Sequence, residues 1–235
     1  MVTDTLSEVK SRPLLFNEEM VRAFLAGKKT QTRRIIQRVR TFGKVTEFQR
    51  SQTPGYDWTF RCRRGLWQDL RTTQLQNLCP YGFAGERIYG RETLKQIPDG
   101  EPNPGHSPHV RTTNWCYVSD GIHLQMPVIW PSGFRIKQSI PSIHMPKWAA
   151  RVWAQIVDVR IERLADISEA DAYAEGVTVA ENHQGSPDFD FRNDARVAYR
   201  QLWERINGPG SWSINPYVWV IEFKRLNVGI PSSGL

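Results

Sequence analysis

Residues 152–161 read Val-Trp-Ala-Gln-Ile-Val-Asp-Val-Arg-Ile, and this stretch decides the fold class. Most of its side chains are apolar or β-branched, which is typical of a strand that packs on a core. The neighbouring Ile156 and Val157 shift the apolar alternation, so we predict a long strand with a bulge at that point. Residues 217–223, which follow Pro216, predict a final strand of the same kind.

The segments around these two strands predict helices. Asn17 is suited to cap a helix that ends at Gly27, because asparagine accepts from free backbone N–H groups and glycine adopts the left-handed conformation after a helix. Ser168 caps a short helix that ends at residues 175–176. A longer helix is predicted over 193–207, and its buried stripe comprises Val197, Leu202, Trp203 and Ile206.

Shorter strands are predicted at 44–47, 56–62, 87–91, 115–118 and 128–130. Residues 95–114 are rich in proline and glycine and predict a long surface loop or lid. Strands and helices of this mixture indicate an α+β protein. We expect one domain over 12–226, with loose termini at 1–11 and 227–235.

Composition narrows the class of protein. The chain has 235 residues and 40% hydrophobic residues, enough for a real core. No stretch approaches the ~20 apolar residues of a membrane span, and the first residues lack a signal-peptide pattern, so we expect a cytoplasmic protein without membrane contact. The three cysteines lack the spacing of a zinc or redox motif, so we expect no disulfide, no metal and no cofactor.

Positive charge is concentrated in the first third of the chain. The formal net charge is +7, yet residues 28–71 alone contain twelve Lys and Arg against three Asp and Glu. Aromatic residues alternate with these cations, as on surfaces that bind phosphates and bases. The pattern indicates either a nucleic-acid surface or ordinary solubilising charge over core aromatics.

The sequence Gly27-Lys28-Lys29-Thr30-Gln31-Thr32-Arg33-Arg34 begins where the first helix is predicted to end. If it is extended, Lys29 and Arg33 share one face and Thr32 and Arg34 the other. A turn after Gly27 would instead bring Lys29 beside Thr32. Four cations and two hydroxyls suit an anionic or carbonyl-bearing ligand, and a solvated basic turn is the alternative.

Several motifs in this order resemble the ASCH family, whose small β-barrel is related to the RNA-binding PUA domain. They are Phe24–Gly27, Lys29–Arg34, Gly85–Ile88, Leu164–Glu169, Ala172–Gly176 and Val220–Lys224. His144–Trp148 and Arg91–Thr93 are similar to larger, phage-encoded members, so the compartment becomes the host cytoplasm for such a protein. The resemblance implies a PUA-like β-barrel with surrounding helices and with insertions at about 38–79 and 95–114.

Some bacterial ASCH proteins are amidohydrolases that deacetylate 4-N-acetylcytidine with a Lys, a Thr three residues later and a distant Glu. The matching positions here are Lys29, Thr32 and Glu175. The resemblance therefore implies that Thr32 attacks the acyl carbon, Lys29 accepts its proton and Glu175 orients Lys29 or protonates the leaving amine. Alternatively, Lys29 and Glu175 form a structural salt bridge and Thr32 is an ordinary strand residue.

Further residues are candidates for binding a nucleoside or nucleic acid: Lys28, Arg33, Arg34, Arg91, Glu92, His144 and Trp148. Arg34 would hold an oxyanion or a phosphate. Trp148 would stack on a base and His144 would line the rim, or the first is core and the second an ordinary loop residue. Arg91 and Glu92 form either a pair that supports the site or a simple strand-end salt bridge.

Two functions follow as hypotheses. The first is a metal-independent amidohydrolase that acts on N4-acylated cytosine derivatives, which requires Lys29, Thr32 and Glu175 to converge. The second is a non-catalytic module of phage origin that binds RNA or DNA, which requires the basic residues of 28–71 to form one face.

Overall fold

The protein is a mixed α+β fold in the computed structural model, which describes residues 9–96, 113–126, 139–179 and 194–227. This confirms the fold class predicted from the sequence. The strands are β1 (Ser11–Leu15), β2 (Gln31–Ile35), β3 (Arg38–Val39), β4 (Gly43–Arg50), β5 (Trp58–Cys62), β6 (Trp67–Leu70), β7 (Arg87–Arg91), β8 (Leu94–Gln96), β9 (Thr113–Tyr117), β10 (His123–Met126), β11 (Ser139–Ile140), β12 (Trp153–Arg163) and β13 (Tyr217–Arg225). The α-helices are α1 (Glu18–Leu25), α2 (Thr72–Gln76), α3 (Glu169–Ala174) and α4 (Ala195–Asn207).

A five-stranded sheet in the order β1-β7-β12-β13-β2 forms the centre of the molecule. β1 and β7 run parallel, and the other neighbouring strands are antiparallel. The register between β12 and β13 shifts between Ile156 and Asp158, which confirms the predicted bulge. β1 and β2 are the two edge strands of the central sheet. Among the described strands, no sheet closes into a barrel.

The described strands form two further sheets of four strands each. The first, β3-β4-β5-β6, is built from the segment that we expected to be an insertion, and the second has the order β10-β9-β8-β11. Residues 95–96 and 113–114, which we assigned to the long loop, belong to β8 and β9 of this second sheet, while 97–112 lie outside the described residues. The predicted strand at 128–130 also lies outside them, and β10 was not predicted.

The core lies in three groups on the faces of these sheets. The largest joins α1, β5 and α2 to the side of β13 that carries Trp219, Ile221 and Phe223. A second contains Leu94, Trp115 and Tyr117, and a third packs α3 and α4 on the side of β13 that carries Val218 and Val220. β13 is therefore covered on both faces, as its nearly continuous apolar sequence requires.

The helix predictions are confirmed at their caps. Asn17 accepts from the N–H of Met20 at 2.8 Å and Ser168 accepts from that of Asp171 at 3.1 Å. The buried stripe of α4 differs from the prediction in two members, because Ile206 is 45% exposed and Val197 is half-buried, whereas Ala195 and Tyr199 are buried. No helix among the described ranges is both long and apolar enough to cross a bilayer.

Candidate functional site

The candidate site begins where the chain leaves α1. The backbone N–H groups of Lys28 and Lys29 both donate to the carbonyl of Ala23, so the chain turns at Gly27 with a φ of 73° and then straightens into β2. Lys29 pairs in antiparallel fashion with Glu175, and the N–H of Thr30 donates to Ala174 at 2.8 Å. This local pairing fixes the end of α3 against the start of β2.

Lys29, Arg33 and Glu175 converge in one buried cluster. The Nζ of Lys29 donates to Oε2 of Glu175 at 2.9 Å and to its backbone carbonyl at 2.8 Å. Arg33 donates to the other carboxylate oxygen, Oε1, at 3.3 Å. Lys29 and Arg33 therefore lie on the same side of the chain, which is the arrangement expected for an extended segment.

All three side chains of this cluster are out of solvent: the side chains of Lys29 and Arg33 are 0% exposed and that of Glu175 is 2% exposed. Burial lowers the pKa of Lys29 because a charged amine is poorly solvated there; the charge of Glu175 opposes this, and Arg34 and Arg33 add to it. The pKa of Lys29 consequently lies below its usual 10.5. The neutral amine is therefore less disfavoured at Lys29 than in an exposed lysine.

Thr32 lies on the opposite face of the sheet. It pairs with Ile221, whose side chain belongs to the core with α1, whereas Arg33 pairs with Val220, which packs towards α3 and α4. Opposite residues of an antiparallel pair point to the same face. Thr32 is 0% exposed, and its hydroxyl forms no hydrogen bond with any described residue. The structure thus brings Lys29 and Glu175 together and does not bring Thr32 to them.

A network of charged side chains adjoins the buried cluster on the side of α3. Arg33 donates to Glu162 and Asp171, each at 3.0 Å, and Arg160 also donates to Asp171 at 3.0 Å. Arg160 additionally pairs with Glu222 across the sheet. Acidic and basic groups alternate through this network, so it orders the β2, β12 and α3 segments around Glu175.

Glu175 is a lining residue of two cavities. One is a cleft of about 540 Å³ between α1, α4 and residues 175–178, and the other is a small cavity of about 50 Å³ lined by Arg33, Arg34 and Tyr199. Glu175 lines both, together with Met20 and Leu202. The cleft has the volume of a small-ligand site. Glu175 is thus the one member of the Lys29–Arg33–Glu175 cluster that lines this cleft.

Two predicted binding residues flank these cavities. Lys28 is exposed and lines the larger cleft, where it is available to an anionic group. Arg34 is half-buried and lines the smaller cavity, but its guanidinium donates to the carbonyls of Leu15 and Arg33, at 2.8 and 3.3 Å. Arg34 therefore also ties β2 to the end of β1.

The predicted pairing of Arg91 with Glu92 is wrong, because each of the two side chains bonds to a different partner. Arg91 donates to the carbonyl of Ile143 at 2.9 Å. Glu92 instead receives two bonds of 2.9 Å from Arg151, whose guanidinium also lies 3.8 Å from the centre of the Tyr117 ring. Glu92 and Arg151 are both buried, so they join β7 to the segment before β12 and do not face the cleft.

His144 and Trp148 lie on the short helical turns between β11 and β12, and both are exposed. Neither lines the cleft beside Glu175. Trp148 is 44% exposed, so the alternative that placed its ring in the core is wrong. These two residues form a separate surface from the Lys29 cluster.

Sequence reasoning missed Glu162, Asp171 and Arg160 as members of the network around Arg33. The sequence does contain a pattern that could have identified Asp171: it precedes Glu175 by four residues, so the two side chains lie on the same face of a helix. Arg160 and Glu162 alternate along β12 towards the same face. Their meeting with Arg33 depends on the strand order, which local patterns do not contain.

The chain was compared with protein-family models, curated proteins and solved structures. No family model, no curated protein and no solved structure matches it. Among the described residues, no group of three or more His, Cys, Asp and Glu side chains is arranged to hold a metal ion.

Proposed function

We propose that this protein is a nucleobase-binding protein of the ASCH type that hydrolyses N4-acylated cytosine derivatives in the cleft beside Glu175. The observation that carries the proposal is the buried Lys29–Glu175 pair, because Glu175 is also a lining residue of the 540 Å³ cleft. A lysine with a lowered pKa in contact with a carboxylate at a cleft is typical of acid–base chemistry.

The finer assignment to a PUA-like ASCH fold rests on where the resembling motifs lie. The segments with Lys29–Arg34, Gly85–Ile88 and Val220–Lys224 contribute β2, β7 and β13, which all belong to the central sheet. Leu164–Glu169 connects β12 of this sheet to α3, and Ala172–Gly176 carries Glu175. Motifs that are distant in sequence thus belong to one sheet and the helix next to it.

We assign the role of general base to Glu175. In this proposal its carboxylate takes a proton from a water molecule in the cleft, the hydroxide adds to the acyl carbon, and the C–N bond breaks. The proton then passes to the departing amine, leaving a free carboxylic acid and the unacylated base. Lys29 and Arg33 hold Glu175 from behind, and Lys28 at the mouth suits a phosphate on the ligand.

Water is assigned the attack because the Thr32 hydroxyl forms no hydrogen bond with Lys29 and Thr32 does not line the cleft. The family resemblance assigns the attack to Thr32 instead. The two assignments differ in one measurable respect, because only the second requires the Thr32 hydroxyl.

The experiment is to incubate the purified protein with 4-N-acetylcytidine and to follow release of cytidine by chromatography. We expect Glu175→Gln to lower kcat/KM at least ~100-fold, the usual contribution of a general base. Thr32→Val preserves shape and should leave kcat/KM within a few fold. Arg196→Gln, an exposed change on α4, is the control for handling and folding.

Full activity of a folded Glu175→Gln variant, or no turnover of the acetylated base, nucleoside or an oligonucleotide that contains it, would overturn the hydrolase. Loss of activity in Thr32→Val, with the fold retained by circular dichroism, would return the attacking role to Thr32.

A further inference from the structure

A second groove lies far along the chain from Glu175, at the turns of the β3-β4-β5-β6 sheet. Its volume is about 470 Å³, and seven residues line it: Gln37, Arg38, Phe42, Gly43, Lys44, Arg63 and Arg64. Four of the seven are cations and none is acidic. The groove shares no lining residue with the cleft beside Glu175.

The strand register brings the four cations together. Arg38 stands directly opposite Lys44 in the β3–β4 pair. Val45 stands opposite Cys62 in the β4–β5 pair, so Arg63 and Arg64, which follow Cys62, reach the same end of the sheet as Lys44. Like charges directly opposite each other destabilise a sheet. The arrangement therefore costs stability unless a negative charge binds there.

Nothing in the described residues neutralises this charge. All four side chains are exposed, and none forms an ion pair or a side-chain hydrogen bond with a described residue. The three carboxylates of residues 38–79 are engaged elsewhere. Glu47 pairs with Arg61 at 3.2 Å, Asp57 accepts from Thr72, and Asp69 accepts from Ser51 at 2.7 Å.

We infer that this groove binds the phosphate backbone of a single-stranded nucleic acid. Clustered cations in a concave channel recognise phosphates, and a groove of this volume accommodates one strand, whereas a duplex would touch only its rim. Phe42 is half-buried and stacks edge-on to Phe60 at 5.3 Å, so its ring packs into the core. The groove accordingly binds the charged phosphates and does not distinguish one base from another.

The test uses the full chain and a fluorescein-labelled oligothymidylate of ~16 nucleotides, a length within the site sizes of single-strand binding proteins. The dissociation constant is measured between about 50 and 200 mM salt. We expect the double variant Arg63→Gln/Arg64→Gln to weaken binding at least tenfold at the lowest salt. The slope of log K against log salt should fall by ~1.4, which is ~0.7 for each lost phosphate contact.

The matched control is Arg196→Gln/Arg200→Gln, which removes the same charge from exposed positions on α4. It should leave the dissociation constant within about twofold. Equal weakening by the two double variants would overturn the site, since net charge alone would then explain binding. Tighter binding of a duplex of the same length would overturn the single-strand assignment.

This inference does not rest on the proposed hydrolysis, and the two fail independently. The Arg63→Gln/Arg64→Gln variant should deacetylate the free nucleoside at the wild-type rate, because the groove lies outside the cleft. Binding without turnover would support the groove and remove the hydrolase.

Discussion

Gly176 decides how closely the end of α3 approaches α1 and β2. Its φ is 90°, a conformation that side chains resist, and a Cβ there would lie 2.7 Å from the Cβ of Ala23 and 3.1 Å from that of Lys29. The residue that follows the candidate base therefore has to be glycine for two reasons. Any displacement at Gly176 would also move Glu175.

Gly176→Ala should lower the free energy of unfolding by about 2–5 kcal/mol, combining backbone strain with overpacking. Gly27→Ala is the matched control, because Gly27 has a φ of 73° but a Cβ at that position would meet no atom within 4 Å. It should lose only about 1–2 kcal/mol, the strain alone. Urea unfolding of both variants measures the difference, and equal losses would contradict the close contact.

At the scale of elements, α3 is held to the central sheet by charge as well as by packing. Asp171 accepts from Arg33 and Arg160 at 3.0 Å, and its own N–H is capped by Ser168. Burial would raise the pKa of Asp171, but the two arginines outweigh it, and the pKa lies below its usual 3.8. The ionised carboxylate is therefore favoured in the folded protein.

Because the pKa of Asp171 is lower in the folded protein than in the unfolded chain, its ionised carboxylate stabilises the fold at pH values above the unfolded-state pKa of about 3.8. This stabilisation is lost as the pH falls through the folded-state pKa. Asp171→Asn should thus destabilise the protein at pH 7 by about 1.5–3 kcal/mol, the range for hydrogen bonds to charged groups. The difference in the free energy of unfolding between this variant and the wild type should be smaller at pH 3. Urea midpoints at the two pH values measure it.

Glu169→Gln is the control on the same first turn of α3, since Glu169 is exposed. It should change stability by less than about 1 kcal/mol at both pH values. A gap for Asp171→Asn that stays constant down to pH 3 would show that the carboxylate charge does not hold the helix.

At the scale of the whole molecule, residues 38–79 are part of the main core and not an appended module. Trp58 is 1% exposed, and its ring packs against that of Tyr217 on β13 with 5.2 Å between the ring centres. Gln76 of α2 donates to the carbonyl of Val159 on β12 at 2.6 Å. The β3-β4-β5-β6 sheet and the central sheet therefore stabilise each other.

Trp58→Ala should cost about 3–5 kcal/mol and lower the stability of the entire protein in a single transition. Thermal unfolding followed by far-ultraviolet circular dichroism and by tryptophan fluorescence should give coincident curves. Trp67→Ala removes the same side chain from a site that is 47% exposed and should cost about 0.5–1 kcal/mol. Two separated transitions in Trp58→Ala would indicate that the β3-β4-β5-β6 sheet unfolds independently of the central sheet.

Local features of the sequence predicted most elements, because their causes are local. The caps at Asn17 and Ser168, the β7 strand and the break in alternation at Ile156 each depend on neighbouring residues. The parallel pairing of β1 with β7 and the bond between Glu92 and Arg151 depend on contacts between distant segments. No local pattern specifies these.

In the candidate site, too, some features follow from neighbouring residues and others depend on contacts between distant segments. Alternation alone places Lys29 and Arg33 together, and the structure agrees. The separation of Thr32 from Glu175 requires knowing which face of β2 meets α3, and this follows from the pairing with β13. The contact of Lys29 with Glu175 was therefore predicted, whereas the position of Thr32 and the bonds of Arg33 to Glu162 and Asp171 were not.

The position of β13 has a consequence for synthesis. This strand joins β12 to β2, yet it is translated after every other described strand, and 181 residues separate the end of β2 from its start. At about 5–20 residues per second, a ribosome needs roughly ten to forty seconds for that interval. Throughout it β2 has no partner, so the nascent chain presents an unpaired strand that chaperones can recognise.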